Sequence, residues 1–416
     1  MPAPSQTPKL ALWRRYRQLP RNVFALGFVS LLNDASTEII YPILPLFLSA
    51  TLGASPAIIG IIEGTAESVS SLLKLFAGYW SDRLGRRKGL VIFGYSLAVV
   101  VRPLLAFATS WQMVFGIRLA DRVGKGIRSA PRDALIADSV EPEERGLAYG
   151  LNRAMDYVGA VIGPVFSFAL LYFIATNWNA PSVRDYRLLF LLASIPAFGA
   201  VVVAFFGVHE KKHNGETLVA ELRPPPKFSL RGFDGNFKVF LVLVAVFTLS
   251  NSTDAFLLLR AREAGVPIAI IPLLWAALHV SKVLSALIGG HLSDHLGRKT
   301  LIASGWILYA LVYAGFAFAT KPWMAWALFL VYGAYFGLAE GAEKALVADL
   351  VRADQRGTAF GLYNLAFSIT VLPASLLMGW VWLKWGAQTA FLLSAGLGIV
   401  AAVTLLLTVN APRVLN

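Results

Sequence analysis

Twelve stretches of predominantly apolar residues, each about 20 residues or longer, leave this chain room for little else. They lie at roughly 22–50, 56–80, 88–109, 112–137, 146–175, 187–208, 237–260, 266–291, 300–319, 323–348, 357–382 and 386–409. A segment of that length in hydrocarbon has to satisfy its own backbone hydrogen bonds, so each is expected to be a helix. Charged residues make up 15% of the chain, against about 25% in soluble domains. The expected fold is therefore all-α and polytopic, with twelve transmembrane helices and the lipid bilayer as constant partner.

The net charge of +13 sits largely in short segments between the apolar runs, where the positive-inside rule already accounts for it. Nucleic acid is not an expected partner, because no basic face with interleaved aromatics stands free of the membrane. Lys9, Arg14, Arg15, Arg17 and Arg21 precede the first span, and Arg83, Arg86, Arg87 and Lys88 follow the second. Both termini are thus expected on the cytoplasmic side of the cell's inner membrane. The N-terminal arm lacks a cleavable signal pattern. With no cysteine, disulfides and thiolate metal sites are excluded.

The two halves repeat each other. GYWSDRLGRRKGL from Gly78 recurs as GHLSDHLGRKTL from Gly290, an offset of 212, and ALIADSVEPEERGLAYGL from Ala134 recurs as ALVADLVRADQRGTAFGL from Ala345, an offset of 211. Between them, residues 209–236 are polar, with a triple proline at Pro224 to Pro226. The organisation expected is a six-helix bundle over 1–208, a cytoplasmic linker over 209–236 and a second bundle over 237–416. Parallel repeats of this kind place a site between the bundles near mid-membrane.

The loop motif Gly78-x-x-x-Asp82-Arg83-x-Gly85-Arg86-Arg87, with Asp294 and Arg298 in its second copy, resembles the signature of the major facilitator superfamily. The resemblance covers nearly the whole chain and is nearest to the proton-coupled exporters with twelve helices. It implies two pseudo-symmetric six-helix bundles and a loop whose Asp and Arg residues lock helix ends together. Gly78 is read as permitting close helix approach. Arg122-Val123-Gly124-Lys125-Gly126 resembles the fourth-helix motif in which an intramembrane Arg helps proton transfer, which assigns that role to Arg122. The extra charges Asp121, Lys125, Arg128, Arg132 and Asp133 depart from the pattern. Gly159-x-x-x-Gly163-Pro164 resembles the exporter motif, without the glycine pair that usually follows. Plain small-residue packing is the competing reading there.

The remaining intramembrane charges need their own account, since a central charge costs about 2.5–3.5 kcal/mol to insert. On a helix at 100° per residue, Arg118, Arg122, Lys125, Arg128 and Arg132 fall within an arc of roughly 120°. The first six spans hold eight cations and seven anions, so acids of helices one, two and five are expected to satisfy this stripe. Asp34 and Glu38 on the first span, and Glu63 or Glu67 on the second, are the proton-carrier candidates, because alternate exposure and pairing switch a carboxylate's protonation. Asn33 and Tyr41 share the polar side of span one. Asn251 and Asp254 mark the cavity side of span seven, and His279 stands at the repeat position of Glu67. Glu340 marks either an opposed cavity wall or a latch between bundles.

The function these features support is secondary transport of a small molecule by alternating access, as proton-coupled efflux without a cofactor, by a protein acting as a monomer. The alternative is transport of a phosphate- or carboxylate-bearing anion held by Arg118, Arg122, Lys125, Arg128 or Arg132. A third reading is a membrane sensor on a transporter scaffold. An enzyme is not expected: there is no nucleotide loop or nucleophile elbow, and Gly207 to His213 lacks zincin spacing.

Overall fold

The helices begin and end where the chain leaves its apolar runs. The computed structural model describes residues 16–84, 87–141, 144–210, 229–352 and 355–410, and among them there is no strand. The first span is α1 (Arg21–Ile40) followed by α2 (Leu44–Ala50), and the second is α3 (Pro56–Leu84). The third is α4 (Arg87–Val101) with a 3-10 turn at Arg102–Phe107, the fourth α5 (Trp111–Asp138) and the fifth α6 (Arg145–Ile174). The sixth is split into α7 (Val183–Leu192) and α8 (Ser194–Gly207). The seventh comprises α9 (Gly235–Ser250) and α10 (Ala255–Glu263), and the eighth is a 3-10 turn at Ile268–Ile270 leading into α11 (Ile271–Leu296). The ninth and tenth are α12 (Arg298–Ala317) and α13 (Pro322–Asp349).

The eleventh and twelfth spans are two helices, together labelled α14 (Arg356–Thr408), that meet at non-helical backbone at Gly386. Its φ of 88° lies in the left-handed region that a residue with a Cβ avoids, so the chain turns between them at one glycine. Two spans, α3 and α5, are too charged to pass as membrane helices on hydropathy alone. They are also the helices that carry the acids and cations at issue. Large apolar side chains face outward where lipid lies, Phe173 with 81% of its surface exposed and Leu407 with 78%. In water such a belt marks an aggregation or interaction site.

In the first bundle α1 packs on α6 and α8, α3 on α5, and α4 on α5. The second repeats that plan, with α11 on α13, α12 on α13, and α14 on α9 and α12. The bundles meet through α3 against α14 and α6 against α11. These pairs exchange under the repeat, as a two-fold axis between the bundles requires. The α3–α14 seam closes backbone to backbone. A Cβ at Gly60 would strike the Ser375 carbonyl, and one at Gly379 the Pro56 carbonyl. Ser68 Oγ donates to the Ser368 carbonyl further along the seam. The Ala269 amide donates to the Trp178 carbonyl at 3.0 Å, tying the connections at the same end. That end lies opposite the chain termini.

The first and seventh spans are interrupted at matching depth, around Tyr41–Ile43 and Asn251–Asp254. Broken helices at the interface of two repeats free backbone groups toward a cavity.

Candidate functional site

The basic stripe of α5 does not face one way. Because α5 is sandwiched between α3 and α4, an arc of some 120° is wide enough to serve both neighbours. Arg118 forks onto Glu63 of α3, Nε to Oε1 at 2.9 Å and Nη2 to Oε2 at 2.5 Å. Both are nearly fully buried. Arg128 turns to α4, stacks 4.5 Å from the Tyr95 ring centroid and donates to the Gly94 carbonyl. Arg132 binds its neighbour Asp133 and Ser30 of α1, with Asp156 of α6 at 3.8 Å.

Helix one contributes differently from expectation. Neither Asp34 nor Glu38 lies within ion-pair distance of the stripe among the described residues. Instead α1 holds Arg102, a residue the sequence did not single out. Arg102 donates to Asp121, Ser36, Thr37 and both the side chain and carbonyl of Asn33. Asn33, expected in the cavity, is therefore an acceptor inside the first bundle. An arginine this buried is stable only when each donor meets an acceptor. Its place amid the apolar third span was the available signal.

Three α5 and α3 groups are left less completely matched. Arg122 is buried and its Nε has no hydrogen-bond partner. The nearest carboxylate, Glu67 Oε2, is 3.9 Å away, and the Glu67 side chain is 38% exposed. Lys125 has no carboxylate within 4 Å among the described residues, although the charges of Glu67 and Asp34 act on it. Asp34 itself accepts, among the described residues, from Asn33.

Gly159 and Gly163 support this arrangement from α6. A Cβ at Gly159 would meet the Leu31 carbonyl and Asp34, and one at Gly163 the Ala35 carbonyl and Glu38. The two glycines thus press on the turns of α1 that carry its acids. Pro164 lies within α6 beside them.

The second bundle presents carboxylates to neutral donors. Asp254, at the break in span seven, accepts from the Tyr332 hydroxyl at 2.9 Å. Asn251 donates to Tyr335. Glu343, 211 residues after Arg132 and so at its repeat position, is buried and accepts from Trp306 and Tyr363 at 2.8 and 2.7 Å. The Lys282 ammonium rests 3.6 Å from the Phe336 ring centroid.

Across the interface, Tyr41 reaches Thr253 and packs its ring against Trp275, tilted by 38° with centroids 5.1 Å apart. Trp275 Nε1 donates to Glu38, and His279 lies beside the same carboxylate. Glu340 binds Lys344 of its own helix and approaches Arg153 of α6 at 3.6 Å.

Of the loop-motif residues, the side chains of Asp82, Arg83 and Asp294 and the whole of Arg86 lie outside the described residues. What is described repeats faithfully: Arg87 pairs with Asp138, and Arg298 with Asp349. Each pair ties the start of one span to the end of the next. Close approach at Gly78 is not found, since a Cβ there would meet Ala130 at an ordinary 3.6 Å.

This geometry, of two six-span bundles with a mirrored seam and a polar interior shared between them, accompanies clear matches to known proteins. The description Major Facilitator Superfamily fits residues 26–278 and again residues 239–416. The chain belongs to the major facilitator superfamily. Its relatives include the uncharacterized MFS-type transporter MJ1317 of Methanocaldococcus jannaschii, 34% identical over 399 residues, covering 94% of this chain and 95% of that protein. The multidrug resistance protein MdtH of Yersinia pestis is 27% identical over 194 residues, covering 43% of this chain and 47% of its own. The solved bacterial homologue of the human lysosomal transporter Spinster, in an inward-facing and occupied conformation, shares the fold. Its TM-score is 0.72 at 17% identity, covering 92% of this chain and 95% of that one. The protein is accordingly a multi-pass membrane transporter of this superfamily, acting on a small molecule within the bilayer.

Proposed function

We propose that this transporter exports a small amphipathic or charged solute in exchange for protons, with both termini in the cytoplasm of the cell whose inner membrane it spans. The observation that carries the reading is the open pair of Glu67 and Arg122. The fork between Arg118 and Glu63 is closed and buried, so its charges are spoken for. Glu67 is the acid of α3 that keeps solvent contact, and it faces an arginine whose Nε lacks an acceptor. A proton on Glu67 would release Arg122 and Lys125, and a substrate would compete for the same groups. Exchange of that kind is antiport. Support for export also comes from the exporter-like glycines, which buttress Asp34 and Glu38, and from the name of the MdtH relative.

Transport of an anion is the second reading, and Lys125 is the observation that favours it. Lys125 and Arg128 both lack a carboxylate within 4 Å among the described residues, but Arg128 is engaged by the Tyr95 ring and the Gly94 carbonyl, and Arg118 and Arg132 by acids inside the bundle.

Proteoliposomes with a pH-sensitive dye inside test the export reading. Ethidium, tetraphenylphosphonium and a panel of aromatic carboxylates are added against an imposed pH gradient. Gradient-dependent flux of at least one compound is expected, and Glu67→Gln should abolish it while sparing compound-for-compound exchange. Flux that ignores the gradient for every transported compound overturns proton coupling. Strict preference for the carboxylates, lost in Lys125→Gln, selects the anion reading.

A further inference from the structure

One polar contact in this interior belongs to neither bundle alone. Glu38, near the end of α1, accepts a hydrogen bond from Trp275 Nε1 of α11 at 2.7 Å. His279, one turn further along α11, places Nε2 3.8 Å from the same carboxylate oxygen. That nitrogen is shielded from solvent and has no hydrogen-bond partner. A separation of 3.8 Å is too long for a hydrogen bond and too short to admit a bridging water. Gly163 of α6 lies against the Cβ and backbone of Glu38, at the base of its side chain. From its own helix it meets Asp34, with Tyr41 one turn on. From α5 it feels Arg122 and Lys125, and from α11 Lys282 besides His279.

We propose that Glu38 and His279 form a binding site for one proton, a site assembled only while the bundles are closed at the end away from the termini. Uptake of a proton from water turns the 3.8 Å gap into a hydrogen bond. It forms either as carboxyl O–H to imidazole nitrogen or as imidazolium N–H to carboxylate oxygen, and the proton belongs to the pair in both cases. Trp275 continues to donate to the same oxygen, which accepts two bonds. Parting α1 from α11 removes one half of the site and lowers its affinity for the proton. Because the site exists in one conformation, the proton favours that conformation, by the same factor that the conformation favours the proton. The inference rests on the export reading in one respect. A proton arriving from the side opposite the termini pulls that side shut, and so becomes committed to leave on the other.

The test needs no substrate. The chain has no cysteine of its own, so spin labels are placed at Ala50→Cys and Glu263→Cys, on the ends of α2 and α10, which touch in this conformation. Electron–electron distance measurements in nanodiscs between pH 8.5 and 5.5 report the ratio of closed to open. In the unmutated background that ratio should rise by about fivefold or more as pH falls, the lower range of allosteric coupling. Glu38→Gln and His279→Gln should each flatten the response, and both retain hydrogen-bonding groups. Trp275→Phe should lower the closed fraction at every pH while leaving the slope. A pH response that survives in both Glu38→Gln and His279→Gln, one that is absent from the unmutated background, or one that vanishes only in Glu67→Gln, overturns the proposal. The outcome is separable from export: compounds that move protons with a pH-independent distance leave export standing without this site, and the reverse result leaves the site without export.

Discussion

Where the first bundle holds Arg102, Asp121, Arg118 and Glu63, the second holds Tyr313, Tyr332, Phe329 and Trp275, at the repeat offset of 211 or 212 residues. In the first, Arg102 bonds Asp121 and Arg118 forks onto Glu63. In the second, the Tyr313 and Tyr332 rings sit 6.1 Å apart and those of Trp275 and Phe329 6.5 Å apart. One backbone plan is thus filled by ion pairs on one side and by aromatic rings on the other. Buried ions demand every partner at once, so they fix a half of the molecule rigidly but tolerate no loss. Aromatic rings bring volume and, through Tyr and Trp, neutral donors that leave nearby carboxylates unopposed by a cation. In the second half Asp254 and Glu343 accordingly have neutral hydrogen-bond donors and, among the described residues, no ion pair.

The largest expected effect tests that division directly. Arg118→Ala or Glu63→Ala strands a buried charge and should cost about 3–5 kcal/mol, read as thermal unfolding of the purified protein. The double replacement Glu63→Trp with Arg118→Phe copies the second bundle's pair. It should recover most of the loss, because well-packed apolar residues often substitute for a buried ion pair without penalty. If the double replacement is as unstable as the sum of the two alanine variants, the bundles are not interchangeable in packing and the comparison fails.

A smaller effect belongs to Gly163, whose repeat position is Ala374. Gly163→Ala drives a methyl into the Ala35 carbonyl and the Glu38 side chain. Overpacking of this kind should cost about 1–3 kcal/mol, and flux should fall with it as Glu38 shifts. Full stability and flux would mean that α1 and α6 part as readily as their counterparts do.

Next comes Tyr332→Phe, which removes the donor to Asp254 and should cost about 1 kcal/mol, because Asp254 keeps some contact with solvent. A loss as large as that of the ion-pair variants would show that the second bundle depends on its polar contacts as heavily as the first.

The spans, their duplication and the charged character of α3 and α5 were legible in the sequence because each is a local or periodic property. Pairings were not. Arg102 gathers acceptors from α1 and α5, far along the chain, and only the packed bundle brings Asn33, Ser36, Thr37 and Asp121 to one guanidinium. The arc of cations on α5 was correctly placed, yet its width let Arg118 and Arg128 point to different helices. Glu38 was legible as a membrane-embedded acid, but its partners stand in the other bundle, at a distance no repeat offset predicts. At Gly78 the loop motif suggested a tight approach, and the neighbouring Ala130 is small enough to leave space.

The smallest effect concerns Arg153 and Glu340, an ion pair that joins the bundles, and one that the repeat does not copy. At their repeat positions stand Asn364 and Ser129. The side chains are 56% and 42% exposed and 3.6 Å apart, so solvent screening leaves the pair little energy. Glu340 also keeps Lys344 at 2.8 Å when Arg153 is gone. Arg153→Asn, which makes the halves alike at this position, should therefore change unfolding stability by less than about 0.5 kcal/mol. It acts between bundles rather than within one, so its effect belongs to their separation. The distance between labels on the ends of α6 and α13 nearest the termini should lengthen, and Arg153→Glu should lengthen it further, since it sets two carboxylates against each other. A drop in unfolding temperature without any change in that distance would place Arg153 among the structural ions of the first bundle instead.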